Sequence, residues 1–241
     1  MLGSLIHKTS PKLHSILVDI KRGEFEFFPP RFTYAEPDIH RILKRIFSNT
    51  SGFFIEAGAN NGVSRSNTYY LERHYGWTGL LIEAIPHRFV ECTRNRPKSK
   101  SVHCALVSPS YEKPSVELTY MDLMSMVNAG GAIDFSGHMQ QFQNTKRHRD
   151  VLTGTKFHAP ARTLGSVLQD LGNPEVDFFS LDVEGLEHDV LLGLDFETCS
   201  PRRILVEDWD KSGIHSLLTS KGYEVELRFG EKDALFKLKQ S

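Results

Sequence analysis

GFFIEAGANNG (52–62), SRSNTYYLERHYGW (64–77) and TGLLIEAIP (78–86) decide the fold. Phe53, Phe54 and Ile55 form an apolar run too short for a helix, and Glu56 ends it. Gly58, Ala59, Asn60, Asn61 and Gly62 then make a tight turn of small residues. Ser64 or Ser66 is placed to cap the next helix, which carries Tyr69, Tyr70 and Leu71 on its apolar side. Leu80, Leu81 and Ile82 read as a second strand ending in Glu83. The unit is β-α-β, with a glycine turn after one strand and an acid after the next.

Such a unit suits a nucleoside, because ligands of open parallel sheets bind outside the carboxyl ends of the strands. Gly58 and Gly62 let the backbone approach a ligand without interference from a Cβ. Glu83, followed by Ala84, can accept both ribose hydroxyls. A dinucleotide site asks for G-x-G-x-x-G, whereas this turn has Ala59-Asn60 after Gly58 and lacks the second glycine. Glu56 beside the turn fits a cofactor whose near end is positive rather than a phosphate. Turn chemistry therefore favours S-adenosylmethionine over a nicotinamide dinucleotide.

Outward from this unit, Ile39, Ile42, Leu43, Ile46 and Phe47 recur at helical spacing behind Pro37-Asp38. Residues 1–34 give no regular pattern, and Phe25, Phe27, Phe28 and Phe32 cluster around Pro29-Pro30. That cluster reads as packing for an N-terminal arm, with a substrate pocket or dimer contact as the alternative. Pro86 to Arg96 predicts a crossover helix with Phe89 and Val90 inward, and Val102 to Val107 a third strand. Cys104 and Ala105 on that strand are candidate neighbours of an adenine, though core packing serves Cys104 equally well. Val116 to Met121 is a candidate strand, while 108–160 as a whole keeps no steady period and contains Gly130-Gly131. It reads as a substrate-covering insertion. His138 and His158 in it are candidate substrate contacts, without metal-ligand spacing. The basic run at 146–149 reads as a solvated face.

VDFFSLDVEGLEHDVLLGLDF (176–196) is the second informative stretch. Val176 to Leu181 is a buried strand, and Asp182 and Glu184 stand at its carboxyl end on the ligand edge. A helix follows, then a strand from Arg203 to Val206 ending in Glu207. Tyr223 to Phe229 and Ala234 to Leu238 predict a terminal antiparallel hairpin. Glu83, Asp182 and Glu207 thus reach one edge of the sheet. They suit Mg²⁺ or separate duties as ribose binder, base and structural acid, and no metal is assigned.

FIEAGANNG, Ser66-Asn67-Thr68 with Leu71-Glu72, GWTGLLIEAIP and the 176–196 stretch resemble the FkbM family of S-adenosylmethionine-dependent methyltransferases. The resemblance spans about Gly52 to Glu207, with Glu56 standing where many members carry Asp. It implies a Rossmann-like class I α/β fold, with a mostly parallel seven-stranded sheet, helices on both faces and the C-terminal hairpin. It also implies O-methyl transfer to a hydroxyl of a sugar, glycan or small metabolite. On this reading Glu56, Gly58, Ala59, Asn60, Gly62 and Asn67 hold the methionine part of the cofactor. Glu83 and Ala84 hold the ribose, Cys104 and Ala105 lie by the adenine, and Asp182 or Glu184 is the base. Glu207 is a substrate-side acid. The rival readings are an NAD-dependent oxidoreductase on a similar sheet and a catalytically silent binding module of the same fold.

The 241 residues suffice for one α/β domain over 51–241, with 1–50 as an arm and helix packed on it. A net charge of −1 makes no electrostatic case for nucleic acid. No apolar run approaches the ~18 residues of a membrane span. Three cysteines without C-x-x-C spacing favour a reducing compartment such as the cytoplasm. Oligomeric state is left open.

Overall fold

The computed structural model describes residues 37–47, 51–119, 126–127, 154–207, 213–230 and 232–239. The phenylalanine-rich arm, His138 and the basic run at 146–149 lie outside the described residues.

Among the described residues the main sheet has seven strands, ordered β10-β11-β9-β8-β1-β2-β3. In chain order these are β1 (Phe53–Ala57), β2 (Thr78–Glu83), β3 (Lys100–His103), β8 (Phe178–Leu181), β9 (Arg203–Glu207), β10 (Tyr223–Phe229) and β11 (Asp233–Leu238). β3, β2, β1, β8 and β9 run parallel. β11 inserts antiparallel between β9 and β10, so the predicted hairpin closes the sheet. From β1 the chain moves outward through β2 to β3, then returns to lay β8 on the other side of β1. That reversal puts the topological switch point between β1 and β8.

The alternation of β1 divides the core. Ile55 and Ala57 point to one face, Phe54 to the other. On the Ile55 face pack α4 (Leu164–Asp170), α5 (Glu187–Leu192) and α6 (Ile214–Ser220), through Leu164, Val167, Val190, Leu191 and Leu218. On the Phe54 face pack α1 (Pro37–Phe47), α2 (Tyr69–Tyr75) and α3 (Pro86–Asn95), through Ile39, Leu43, Leu71 and Cys92. Phe47 of α1 rests edge-on against Trp77, ring centroids 5.1 Å apart. The expected α/β sandwich is therefore the one observed. Val90 departs from its expected place: Cys92 is the residue α3 buries, and Val90 faces solvent.

A larger correction concerns residues 102–162. The expected strand from Val102 to Val107 breaks at Cys104. Its first part is β3; its second, β4 (Ala105–Leu106), leaves for another sheet. That sheet has the order β4-β7-β5-β6, with β5 (Ser115–Thr119), β6 (Met126–Val127) and β7 (Lys156–Arg162). The two ends of the insertion thus zip together, Ala105 opposite Ala161 and Leu106 opposite Arg162. Val116, Leu118 and Ala159 form a small core with Ile85, Ala105 and Val107. The expectation of an irregular cover missed this because β7 (KFHAPAR) carries a proline and only weak alternation. Pro160 is tolerable there because it occupies the terminal pair of the β5–β7 ladder, opposite Ser115.

Candidate active site

The loop from β1 to α2 is tied down by its own small residues. Gly58 and Gly62 adopt φ +81° and +79°, a region that side chains disfavour. A Cβ on Gly58 would lie 1.8 Å from the carbonyl oxygen of Asp182. Gly58 is therefore where the turns after β1 and β8 touch, at the switch point. The Gly58 and Ala59 N–H groups both donate to Ile82 O at 3.0 Å. Asn61 Oδ1 accepts from Val63 N and Ser64 N. Ser66, one of the two anticipated caps, accepts from Tyr69 N at 2.9 Å.

Glu56 is buried, and its carboxylate is engaged within the protein. It accepts from Ser66 Oγ at 2.8 Å, Thr68 Oγ1 at 2.7 Å and Asn67 N at 2.8 Å. It shapes the loop with its side chain, which is thereby engaged inside the protein. The Asn67 amide donates to Ser180 Oγ at 2.9 Å, tying the loop to β8.

Glu83 is buried at the end of β2. Its Oε2 accepts from Asn60 N at 2.6 Å and its Oε1 from Ile85 N at 2.8 Å. Burial raises its pKa, while those backbone N–H groups and Arg88 oppose the rise. A carboxylate offers about four lone-pair sites, so each oxygen keeps room for a ribose hydroxyl. Ala84 O accepts from His103 Nε2 at 2.9 Å. Cys104 faces the main core with Ile82 and Leu164, whereas Ala105 joins the small core beside Ile85. Of the two candidate adenine neighbours, Cys104 is a packing residue.

Asp182 and Glu184 follow β8 in a turn where Glu184 and Gly185 both have positive φ, 57° and 98°. Asp182 is exposed at its surface, yet enough protein atoms surround it to disfavour its charged form. Its pKa is pushed up to about 7, first by burial, then by Glu207, Glu187 and Asp233; Arg65 opposes the rise. Glu184 is pushed up to about 8 by burial, Asp182, Glu207 and Glu187. Oxygens of Asp182, Glu187 and Glu207 lie within 4.8 Å of one another. Among the described residues the acids close enough to share a cation or a proton are these three, with Glu187 where the expected trio had Glu83. Glu187 closes the D-V-E-G-x-E motif of the sequence, but the motif alone assigns it no role. Its Oε1 accepts from Val183 N at 3.0 Å and Gly185 N at 3.1 Å, fixing the turn that carries the two candidate bases.

His158 does not join them by any contact observed. It stands on the exposed face of the small sheet, across from Glu117, 4.0 Å away. Cys92, Cys104 and Cys199 are buried and unpaired. No helix among the described residues is long and apolar enough to cross a membrane.

The residues fit S-adenosylmethionine on two counts. Glu83, at the end of β2, has acceptor capacity left beside its two backbone donors. Asn60 Oδ1, buried beside Glu83, has no hydrogen-bond partner and can serve a ligand donor after a small adjustment.

The sequence profile of the methyltransferase FkbM domain matches residues 56–225. "Methyltransferase sdnD" of Sordaria araneosa is 27% identical over 218 residues, covering 76% of this chain and 82% of that protein. "Methyltransferase 1" of Beauveria bassiana is 27% identical over 215 residues, covering 80% and 85%. Among solved structures, a TehB-like SAM-dependent methyltransferase from Corynebacterium glutamicum aligns over 95% of this chain and 97% of its own, at 10% identity and TM-score 0.44. A methyltransferase from Pyrococcus furiosus aligns over 95% and 98%, at 13% identity and TM-score 0.39. The fold described above rests on the strand order itself. With its family profile spanning most of the sheet, this chain belongs to the FkbM family of S-adenosylmethionine-dependent methyltransferases.

Proposed function

We propose that this methyltransferase acts on oxygen, transferring a methyl group to a hydroxyl of a sugar, glycan or small metabolite. The observation that carries this reading is the pair Asp182 and Glu184 at the end of β8, in contact with the Gly58 turn through the Asp182 carbonyl. An alcohol is a poor nucleophile until its proton has somewhere to go. A carboxylate whose pKa is raised toward neutrality is a better base than an ordinary one and is still ionised at working pH. Asp182, pushed up to about 7, is about half ionised at neutral pH and can meet that requirement; Glu184, pushed up to about 8, mostly keeps its proton there and becomes a base only as pH rises. Burial is the first cause of both shifts, Glu207 and Glu187 add to it, and Asp182 also raises Glu184.

The cofactor supplies an activated methyl group on its sulfonium. The loop backbone from Glu56 to Gly62 holds its methionine part, Glu83 its ribose, and Ala105 borders its adenine. The remaining task for the protein is to hold the acceptor oxygen in line, where orientation contributes up to ~7–11 kcal/mol, and to take its proton. An NAD-dependent oxidoreductase is set aside by the family membership and by the missing glycine. A silent binding module would bind cofactor without turnover.

The test is calorimetry with S-adenosylmethionine and S-adenosylhomocysteine, then turnover on a panel of hydroxyl and amine acceptors, with the methylated atom located by NMR. Asp182→Asn and Glu184→Gln should each lower kcat by ~10²–10⁴-fold with little change in cofactor affinity. Methylation of nitrogen in preference to oxygen, or full activity in both variants, refutes the assignment. Binding without turnover on any acceptor favours the silent module.

A further inference from the structure

Arg96 is a fully buried cation just beyond α3. Its Nη1 donates to the carbonyl oxygen of Gly62 at 2.9 Å and to Ser66 Oγ at 3.2 Å. Its Nη2 donates to Thr68 Oγ1 at 3.0 Å and its Nε to Glu72 at 3.0 Å. The Glu56 carboxylate stands 3.6 Å from Nη1. The guanidinium also lies over the rings of Phe54 and Tyr69, at 5.2 and 5.5 Å. Its neighbour Asn95 donates from Nδ2 to Asn61 O at 2.8 Å. One helix end therefore holds two consecutive carbonyls of the glycine loop from outside. The contact is close: a Cβ on Gly62 would lie 2.7 Å from Arg96 Cγ and 3.0 Å from Cys92 Sγ.

The other end of the same helix meets Glu83, whose Oε1 accepts the N–H of Ile85, the residue before Pro86. α3 has 10 residues, a rod of about 15 Å. It links the ribose acid at its start to the loop for the methionine part at its finish.

We propose that Arg96, assisted by Asn95, is a positioning residue for the cofactor. It holds the loop in binding geometry and keeps the two halves of the cofactor site in register through α3. This rests on the reading that the 58–67 loop receives the methionine part. A loop held ready loses less freedom on binding, so Arg96 acts on affinity without touching the ligand. The consequence is selective: loosening the clamp weakens ligands that use the loop and spares ligands that use only the Glu83 end.

The test is calorimetry on Arg96→Lys and Asn95→Ala with S-adenosylhomocysteine and with adenosine, each below the melting temperature of the variant. Arg96→Lys keeps the charge but loses the fork, and should raise Kd for S-adenosylhomocysteine at least about tenfold, with adenosine within about twofold. Asn95→Ala, on the exposed side, should show the same selectivity at about threefold, and it carries the test if Arg96→Lys fails to fold. Equal weakening of both ligands means general destabilisation and overturns the proposal, as does no change for either. If the wild type binds adenosine but not S-adenosylhomocysteine, the cofactor assignment falls, and the proposal with it. Intact wild-type binding that Glu83→Gln weakens and Arg96→Lys does not leaves the assignment standing and refutes the clamp alone.

Discussion

Glu83→Gln separates the two duties proposed for Glu83, bracing the loop and binding the ribose. In the wild type each carboxylate oxygen accepts one backbone N–H, from Asn60 and Ile85. Glutamine keeps one acceptor and turns an NH₂ toward the other donor, so one charge-assisted bond is lost, about 1.5–3 kcal/mol. Against this, the neutral amide removes the burial penalty that raises the Glu83 pKa. The two contributions oppose, and a net loss of at most about 2 kcal/mol follows, a fall in Tm of roughly 4–8 °C for a chain of this size. Cofactor affinity has no such offset. One ribose hydroxyl loses its anionic acceptor, which at 1.5–3 kcal/mol raises Kd by roughly 10- to 150-fold. The assay is calorimetry with S-adenosylhomocysteine and its 3′-deoxyribose analogue, on wild type and variant. The wild type should prefer the hydroxylated ligand, and the variant should lose most of that preference. A Kd within about threefold of wild type, or equal weakening toward both ligands, would falsify the ribose assignment.

Three further outcomes are expected. Gly58→Ala should abolish cofactor binding and lower Tm steeply, since its Cβ meets the Asp182 carbonyl; Gly76→Ala, also at positive φ but with no atom within 4 Å, should cost only about 1 kcal/mol and leave binding intact. The kcat/KM profile should rise through pH 7–8 as the Asp182–Glu184 pair ionises, and Glu207→Gln should move that limb down by about half a unit to one unit; a pH-independent profile excludes the pair as base. Glu184→Gln should change stability in a pH-dependent way. The folded-state pKa of Glu184 lies above its unfolded value, so its contribution is fully present below about pH 4.5 and lost as pH rises through about 8. The Tm of the variant relative to wild type should therefore increase from pH 4.5 to pH 9, and a constant difference contradicts the raised pKa.

Much of the main sheet was legible because parallel strands buried on both faces read as apolar runs. FFI, LLI and FFSL announce themselves, and their terminal acids mark the ligand edge. The positions of Asp182, Glu184 and Glu83 followed from that pattern. The small sheet was legible only in part: β5 matches the strand anticipated from Val116, but β4 has only two residues, and β7 alternates weakly around Pro160. Side-chain partnerships were hidden for another reason. Glu56 and Glu83 look alike in sequence, an acid ending each strand. One faces Ser66, Thr68 and Arg96, and the other keeps acceptor capacity for a ligand. Only the path of the intervening loop distinguishes them, and Arg96, 40 positions from Glu56 in numbering, gave no local sign of its long-range contacts.

The parallel pairing of β4 with β7 has a consequence for how this scaffold diversifies. Val107 N donates to Arg162 O at 3.0 Å, extending the zipper past Leu106. The chain thus leaves the frame and rejoins it at one seam, so whatever lies between starts from closed ends. Lengthening such an insert costs little, about 0.6 kcal/mol per doubling. The seam confines such growth to one point of the frame, but Val116, Leu118 and Ala159 pack on Ile85, so only content outside that small core can change without reaching the end of β2.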